Sequence, residues 1–168
     1  VFKEFRVEEG NTHFKAVDGV LYSMDGTKFI AMPRGKTVTN STYEILEGVT
    51  FMPELSFSRN PYIKTLILPD SYVIRQDVSL QVPEYRLASQ TAAQDANINA
   101  GNSISTALYQ YTGIVNYEVK ETNKRYKSDR GIIYSKDMSK IIAIPTKYNQ
   151  DIIIPEGVTT IEFYAFYN

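Results

Sequence analysis

The chain has 168 residues, 43% of them apolar, which is enough for one domain with a continuous core and too apolar for a disordered chain. Eighteen Lys and Arg against nineteen Asp and Glu leave a net charge of −1, so there is no overall basic field to hold a nucleic acid or an anionic membrane. Cysteine is absent, which excludes disulfide frameworks, thiolate metal sites and thiol nucleophiles together, and no apolar run reaches the roughly 18 residues of a membrane span.

Thirteen Tyr and eight Phe, with abundant Val, Ile and Thr, favour strands. Reading from the N-terminus, "FRVEEGNTHFKAVDG" from Phe5 leads into "GVLYSMDGTKFIAMP" from Gly19. The runs "VLYS" and "KFIAM" are short and β-favouring, and Asp25-Gly26 between them supplies the positive φ of a tight turn, so strand, turn and strand are predicted, with Pro33 ending the second strand. Next come "EILEGV" from Glu44 and "LILPDSY" from Leu66, which echo each other with Leu46 and Pro69 in register 23 positions apart. A unit of this length is that of a leucine-rich repeat, so stacking of coils is expected.

Residues 76–105, containing "QVPEYRLASQTAAQDANINAGNS", match nothing else in the chain. Pro83 suits a first helical turn and Gly101 a helix end, but Tyr85, Ala88, Ala92 and Ala96 make only a weak apolar stripe, leaving a short helix and an irregular loop as even alternatives. Because it stands outside the repeat, this segment is expected to be the least regular and the first cut by a protease. After "SISTALYQYTGIVN" the opening pattern returns: "YEVKETNKRYKSDRG" from Tyr117 and "GIIYSKDMSKIIAIP" from Gly131 stand 112 positions from their first-copy counterparts, and "EGVTTIEFYAFYN" from Glu156 stands 109 from "EGVTFMPELSFSRN". Met138 replaces Gly26 in the second copy, and its steric cost at positive φ predicts a wider or different turn there. Phe57 and Phe166 occupy matched places after "EGVT" and are expected to be equivalent core residues.

The recurring combination of "N…(Y/F)-K", "G-(V/I)-(L/I)-Y-S-x-D", "K-x-I-A-x-P" and "E-G-V-T…(A/S)-F" resembles the BspA-like leucine-rich-repeat proteins of bacteria, over nearly everything except residues 76–105. The resemblance implies a secreted or surface-displayed protein associated with adhesion. Together with the repeats it predicts a strand-rich, right-handed leucine-rich-repeat solenoid, a β/α superhelix with an irregular or partly helical insertion. Residues 1–75 would form the first block, 76–105 the insertion and 106–168 a truncated second block. The copies stop unevenly, and "IEFYAFYN" would leave a solenoid end unshielded. A longer array preceded by an export signal, and self-association through uncapped ends, are therefore expected.

Candidate contacts are few. "NKRYKSDR" gathers Lys124, Arg125, Lys127 and Arg130 around an aromatic, a patch able to grip a phosphate or an acidic glycan, though a solvated connection accounts for it better. Tyr109 and Tyr111 fall on one face of an extended chain, where they could stack on a sugar, with core packing the stronger reading. His13, the only histidine, has no partners at ligand spacing and is read as a loop residue, while Asp25 and Asp137 are read as turn formers. No GxSxG, GxxxxGK(S/T) or HExxH motif occurs, so no enzyme, metal or cofactor is expected. The expected role is an extracellular or cell-surface, non-catalytic binding or adhesion module for a protein or glycan partner, the alternative being a structural spacer that presents another domain.

Overall fold

The computed structural model describes residues 1–53, 56–57, 59–74, 108, 111, 113–162 and 165–166. Ten strands are present among them: β1 (Phe14–Val17), β2 (Val20–Ser23), β3 (Phe29–Ala31), β4 (Thr42–Glu44), β5 (Thr65–Leu68), β6 (Asn116–Val119), β7 (Tyr126–Asp129), β8 (Ile132–Ser135), β9 (Lys140–Ala143) and β10 (Thr160–Ile161). They form three small sheets, ordered β1-β2-β3, β4-β5-β6 and β10-β9-β8-β7.

Each copy opens with a three-stranded antiparallel meander, β1-β2-β3 in the first and β7-β8-β9 in the second. The first turn of each needs two successive residues at positive φ, supplied by Asp18 (47°) with Gly19 (71°) and by Arg130 (47°) with Gly131 (81°). Both pairs make the two-residue turn whose twist matches a hairpin. The glycine carbonyl also receives the lead-in chain, from Phe5 N at 2.8 Å and from Tyr117 N at 3.0 Å. Both meanders carry a register shift before the conserved-looking tyrosine, between Leu21 and Tyr22 and between Ile133 and Tyr134.

The middle sheet is parallel. Tyr43 of β4 lies beside Leu66 of β5, which lies beside Tyr117 of β6, so the 23-residue echo seen in the sequence is a direct strand pairing. One face of this sheet is covered: Tyr43, Leu66, Leu68 and Tyr117 are buried, while Ile67 on the other face is half-buried and Glu44 and Glu118 are exposed.

The expected leucine-rich-repeat solenoid is not what forms. No α-helix occurs among the described residues, and the hydrogen-bonded ladder is divided into three separate sheets. A solenoid requires every coil to add one strand to a common ladder. Here the most strongly repeated sequence makes antiparallel meanders instead, because the Asp-Gly and Arg-Gly turns reverse the chain after four residues. The insertion at 76–105 lies outside the described residues.

The core joins what the ladders leave apart. One cluster runs from Val20, Tyr22 and Phe29 through Ile45, Phe57, Leu66 and Tyr111 to Tyr117, Tyr126 and Ile133, and a second gathers Ile132, Tyr134, Ile141, Ile144 and Ala165. Phe57 is the meeting point, with ring centroids 5.0 Å from Phe29, 6.1 Å from Tyr43 and 5.3 Å from Tyr111. Phe166 is not its equivalent, being 47% exposed where Phe57 is fully buried. Phe57→Ala should therefore cost about 3–5 kcal/mol in urea denaturation, as for a large buried aromatic, and Phe166→Ala under about 1 kcal/mol.

Candidate functional site

The second turn of each meander is a carboxylate knot. Asp25 Oδ1 accepts from Ser23 Oγ (2.6 Å), Thr27 N (3.0 Å) and Thr27 Oγ1 (2.9 Å). Asp137 Oδ1 accepts from Ser135 Oγ (2.6 Å), Ser139 N (3.0 Å) and Ser139 Oγ (2.8 Å). Each serine oxygen in turn accepts the amide of the next strand, Lys28 N and Lys140 N, both at 3.0 Å. The hydroxyl bonds, then the amide bonds, favour the ionised carboxylate and hold both acids at about 2. These aspartates close turns, each through its Oδ1.

The two knots are the same turn, contrary to the expectation that Met138 would change it. Gly26 N donates to Ser23 O and Met138 N to Ser135 O, each at 2.9 Å, and Met138 takes a φ of 63° where Gly26 has 79°. Three hydrogen bonds to one carboxylate, matched in both copies, over-determine the loop and hold the Met138 backbone in the left-handed region.

The basic segment lies along β7 and the turn before it, and Lys124, Arg125, Lys127 and Arg130 are all exposed. Its geometry comes from Asn123, whose Oδ1 accepts from Arg125 N (2.9 Å) and Tyr126 N (2.8 Å), as Asn11 does for His13 and Phe14 in the first copy. The charge is partly spoken for. Arg130 pairs with Asp129 at 3.3 Å, and Arg125 Nη1 donates to the Asp70 carbonyl at 3.3 Å. Nearby, Lys120 pairs with Glu44 at 2.6 Å, and that hydrogen bond, with the charges of Glu44, Glu47 and Asp70, raises its pKa against a smaller desolvation penalty. Lys124, Arg125 and Lys127 of the segment lack an ion pair among the described residues, and with Asp129, Glu44 and Lys120 beside them this edge is of mixed sign.

The tyrosine pair divides. Tyr109 lies outside the described residues, and Tyr111 is fully buried with its ring edge-on to Phe57, so Tyr111 contacts the core and is withdrawn from any ligand. His13 is exposed, and its ring is bonded to Thr12 of its own turn. Among the described residues no three His, Asp or Glu side chains gather at metal-binding distance, and no helix is long and apolar enough to cross a membrane.

A feature that sequence reasoning passed over is a cleft of about 170 Å³ between the end of β3 and the turn after Phe57. Ile30, Met32 and Pro53 line it together with Arg34, Arg59 and Asn60. Asn60 is 4% exposed and spends its whole side chain on structure: Nδ2 donates to Pro33 O (3.0 Å) and Lys36 O (2.9 Å), and Oδ1 accepts from Tyr62 N (2.9 Å). The signal in the sequence was the break in the repeat: at spacings of 112 and 109, Arg34 and Arg59 face Thr146 and Asn168.

No protein-family model and no curated protein matches the chain. Two solved structures are similar to parts of it. The pneumococcal vaccine antigen PcpA shares 37% identity over 42% of this chain and 17% of its own, with a TM-score of 0.39. A leucine-rich repeat protein from Eubacterium ventriosum shares 16% identity over 74% of this chain and 26% of its own, with a TM-score of 0.46. Both overlays fall short of a shared global fold, and the chain spans about a sixth and a quarter of those two proteins.

The knots carry a pH signature. Their carboxyls sit at about 2 in the folded protein against an ordinary value of 3.8, so their stabilisation is complete above pH 3.8 and is lost as pH falls through about 2. Asp137→Asn should lower the urea midpoint at pH 7 and flatten its fall between pH 4 and 2. An unchanged acid limb in the double variant Asp25→Asn with Asp137→Asn would show that other groups set it.

Proposed function

We propose that the chain is an extracellular, cell-surface binding module of the BspA-like kind, non-catalytic, which engages a protein or glycan partner through its exposed side chains. One observation supports this reading above the others: agreement and disagreement between the copies sort by structural role. Positions that agree, such as Tyr22 with Tyr134, Ser23 with Ser135, Asp25 with Asp137 and Asn11 with Asn123, are core residues or turn locks. Positions that disagree put different charges on the surface: Thr12, His13, Asp18 and Thr146 stand against Lys124, Arg125, Arg130 and Arg34. A duplicated scaffold with a divergent exterior suits recognition, since function on a repeated framework resides in grafted surface chemistry.

The spacer reading requires the exterior to be inert. Surface plasmon resonance over immobilised matrix proteins and a printed glycan array separates the two. Saturable binding tighter than about 0.1 mM is expected. No binding on either surface would favour the spacer.

A further inference from the structure

We propose that the cleft between β3 and the turn after Phe57 is a binding site for an acidic sugar residue, its carboxylate or sulfate held by Arg34 and Arg59; the inference rests on the binding-module reading above. Both arginines are exposed and line one small cleft, and neither forms an ion pair or hydrogen bond among the described residues. The nearest lysine of the same loop differs in this respect, since Lys36 is neutralised by Asp18 at 2.9 Å. Two like charges bordering one concavity repel each other until an anion sits between them, and arginine presents the planar fork that grips a carboxylate or sulfate through paired bonds.

The site is built rather than incidental. Arg34 follows Pro33 and Arg59 precedes Asn60, and the buried Asn60 amide clamps the Pro33 and Lys36 carbonyls. The backbones carrying both arginines are thus fixed to one another by a side chain whose polar atoms are all used, leaving the two cations as the free polar groups beside it. Nothing in the repeat calls for arginine at either place. The floor supplies the second half of the argument: Ile30, Met32 and Pro53 give an apolar surface under the cations. At about 170 Å³ the cleft takes a single ring or smaller and is below the range of pockets that enclose drug-sized ligands. A sugar ring with one acidic substituent meets both demands, its C–H face on the floor and its anion on the rim. An acidic peptide side chain would use the rim alone.

The test is a titration of the whole chain with a sulfated, uronate-containing heparin tetrasaccharide, followed by NMR of the arginine Nε–H groups. Saturable shifts at Arg34 and Arg59 are expected with a Kd on the order of 0.1–1 mM, weakening as salt is raised. Arg34→Thr and Arg59→Asn, which install the second copy's residues on exposed positions, should each weaken binding about tenfold or more, with circular dichroism unchanged. Equal binding by both variants, or shifts confined to Lys124, Arg125, Lys127 and Arg130, would overturn the site. So would a hexaglutamate peptide that moved the same arginines at the same concentration. If the variants lose the tetrasaccharide but keep their matrix-protein contacts, the site holds as one part of a larger surface. If wild type binds matrix proteins but no acidic sugar, this site fails while the module reading stands.

Discussion

The fold depends on one constraint: none of its sheets can stand alone, and a single aromatic ring lies where two of them meet. Strands of two to four residues in sheets of three or four are marginal in water unless an apolar face is covered. Phe57 covers two of them at once, touching Phe29 of the first meander and Tyr43 of the parallel sheet, and also packs on Tyr111, which lies outside the strands. The tyrosines around it bring hydroxyls into a low-dielectric core, where pairing is favoured, although the buried Tyr111 hydroxyl has no hydrogen-bond partner among the described residues. Tyr22 and Tyr43 bond each other at 2.5 Å, Tyr117 donates to Leu108 O at 2.8 Å, and Tyr126 accepts from Ile74 N at 3.1 Å. Burial is the main cause that pushes Tyr43 and Tyr117 far above the usual phenol range, so the polar ties stay neutral at any working pH.

The two copies differ in how they use the same strand, and their apolar residues follow. In β2 the burial alternates, with Val20 and Tyr22 inside and Leu21 and Ser23 half-exposed. In β8, Ile132, Ile133 and Tyr134 are all buried, because Ile133 faces the large cluster while Ile132 and Tyr134 face the second one. The second meander is therefore a wall between two cores, and "IIYS" replaces "VLYS" where both faces are covered. A similar contrast separates Ile45 from its counterpart Ile154. Ile45 is buried where its amide bonds Ile67 O, whereas Ile154 is half-exposed and has no strand beside it among the described residues.

Local chemistry was legible and global arrangement was not. The meander strands, their closing prolines and the aspartate turns follow from alternation and side-chain hydrogen bonding, which act within a few residues. The 23-residue register was legible too, since pairing Tyr43 with Leu66 requires only that like runs align. The solenoid expectation failed because periodicity in sequence does not say whether a repeat adds to a common ladder or folds back on itself. The deciding signals were Asp18-Gly19 and Arg130-Gly131, whose positive φ angles set the reversal; the second of these shows no Asp-Gly at all. Phe166 was misplaced for a related reason: matched position after "EGVT" does not guarantee a matched neighbour to pack against. The expected ligand residues fared unevenly, since Tyr111 had the spacing of a surface pair but the size and environment of a core residue.

Where the repeat is silent, the surface is free to differ, and that freedom has a physical basis. Turn knots and core tyrosines each satisfy several partners, so a substitution there disturbs a network. Among the described residues Arg34, Lys124 and Lys127 satisfy none, and exchanging them leaves the scaffold's hydrogen bonds intact. Charge can then be distributed locally on a chain whose total is −1, with mixed sign along β7 and positive sign alone at the cleft. Screening limits each such cluster to neighbours within about 10 Å at ordinary ionic strength. The Asn60 clamp sets which cations share this concavity, by fixing to one another two loops that the repeat alone would leave unrelated.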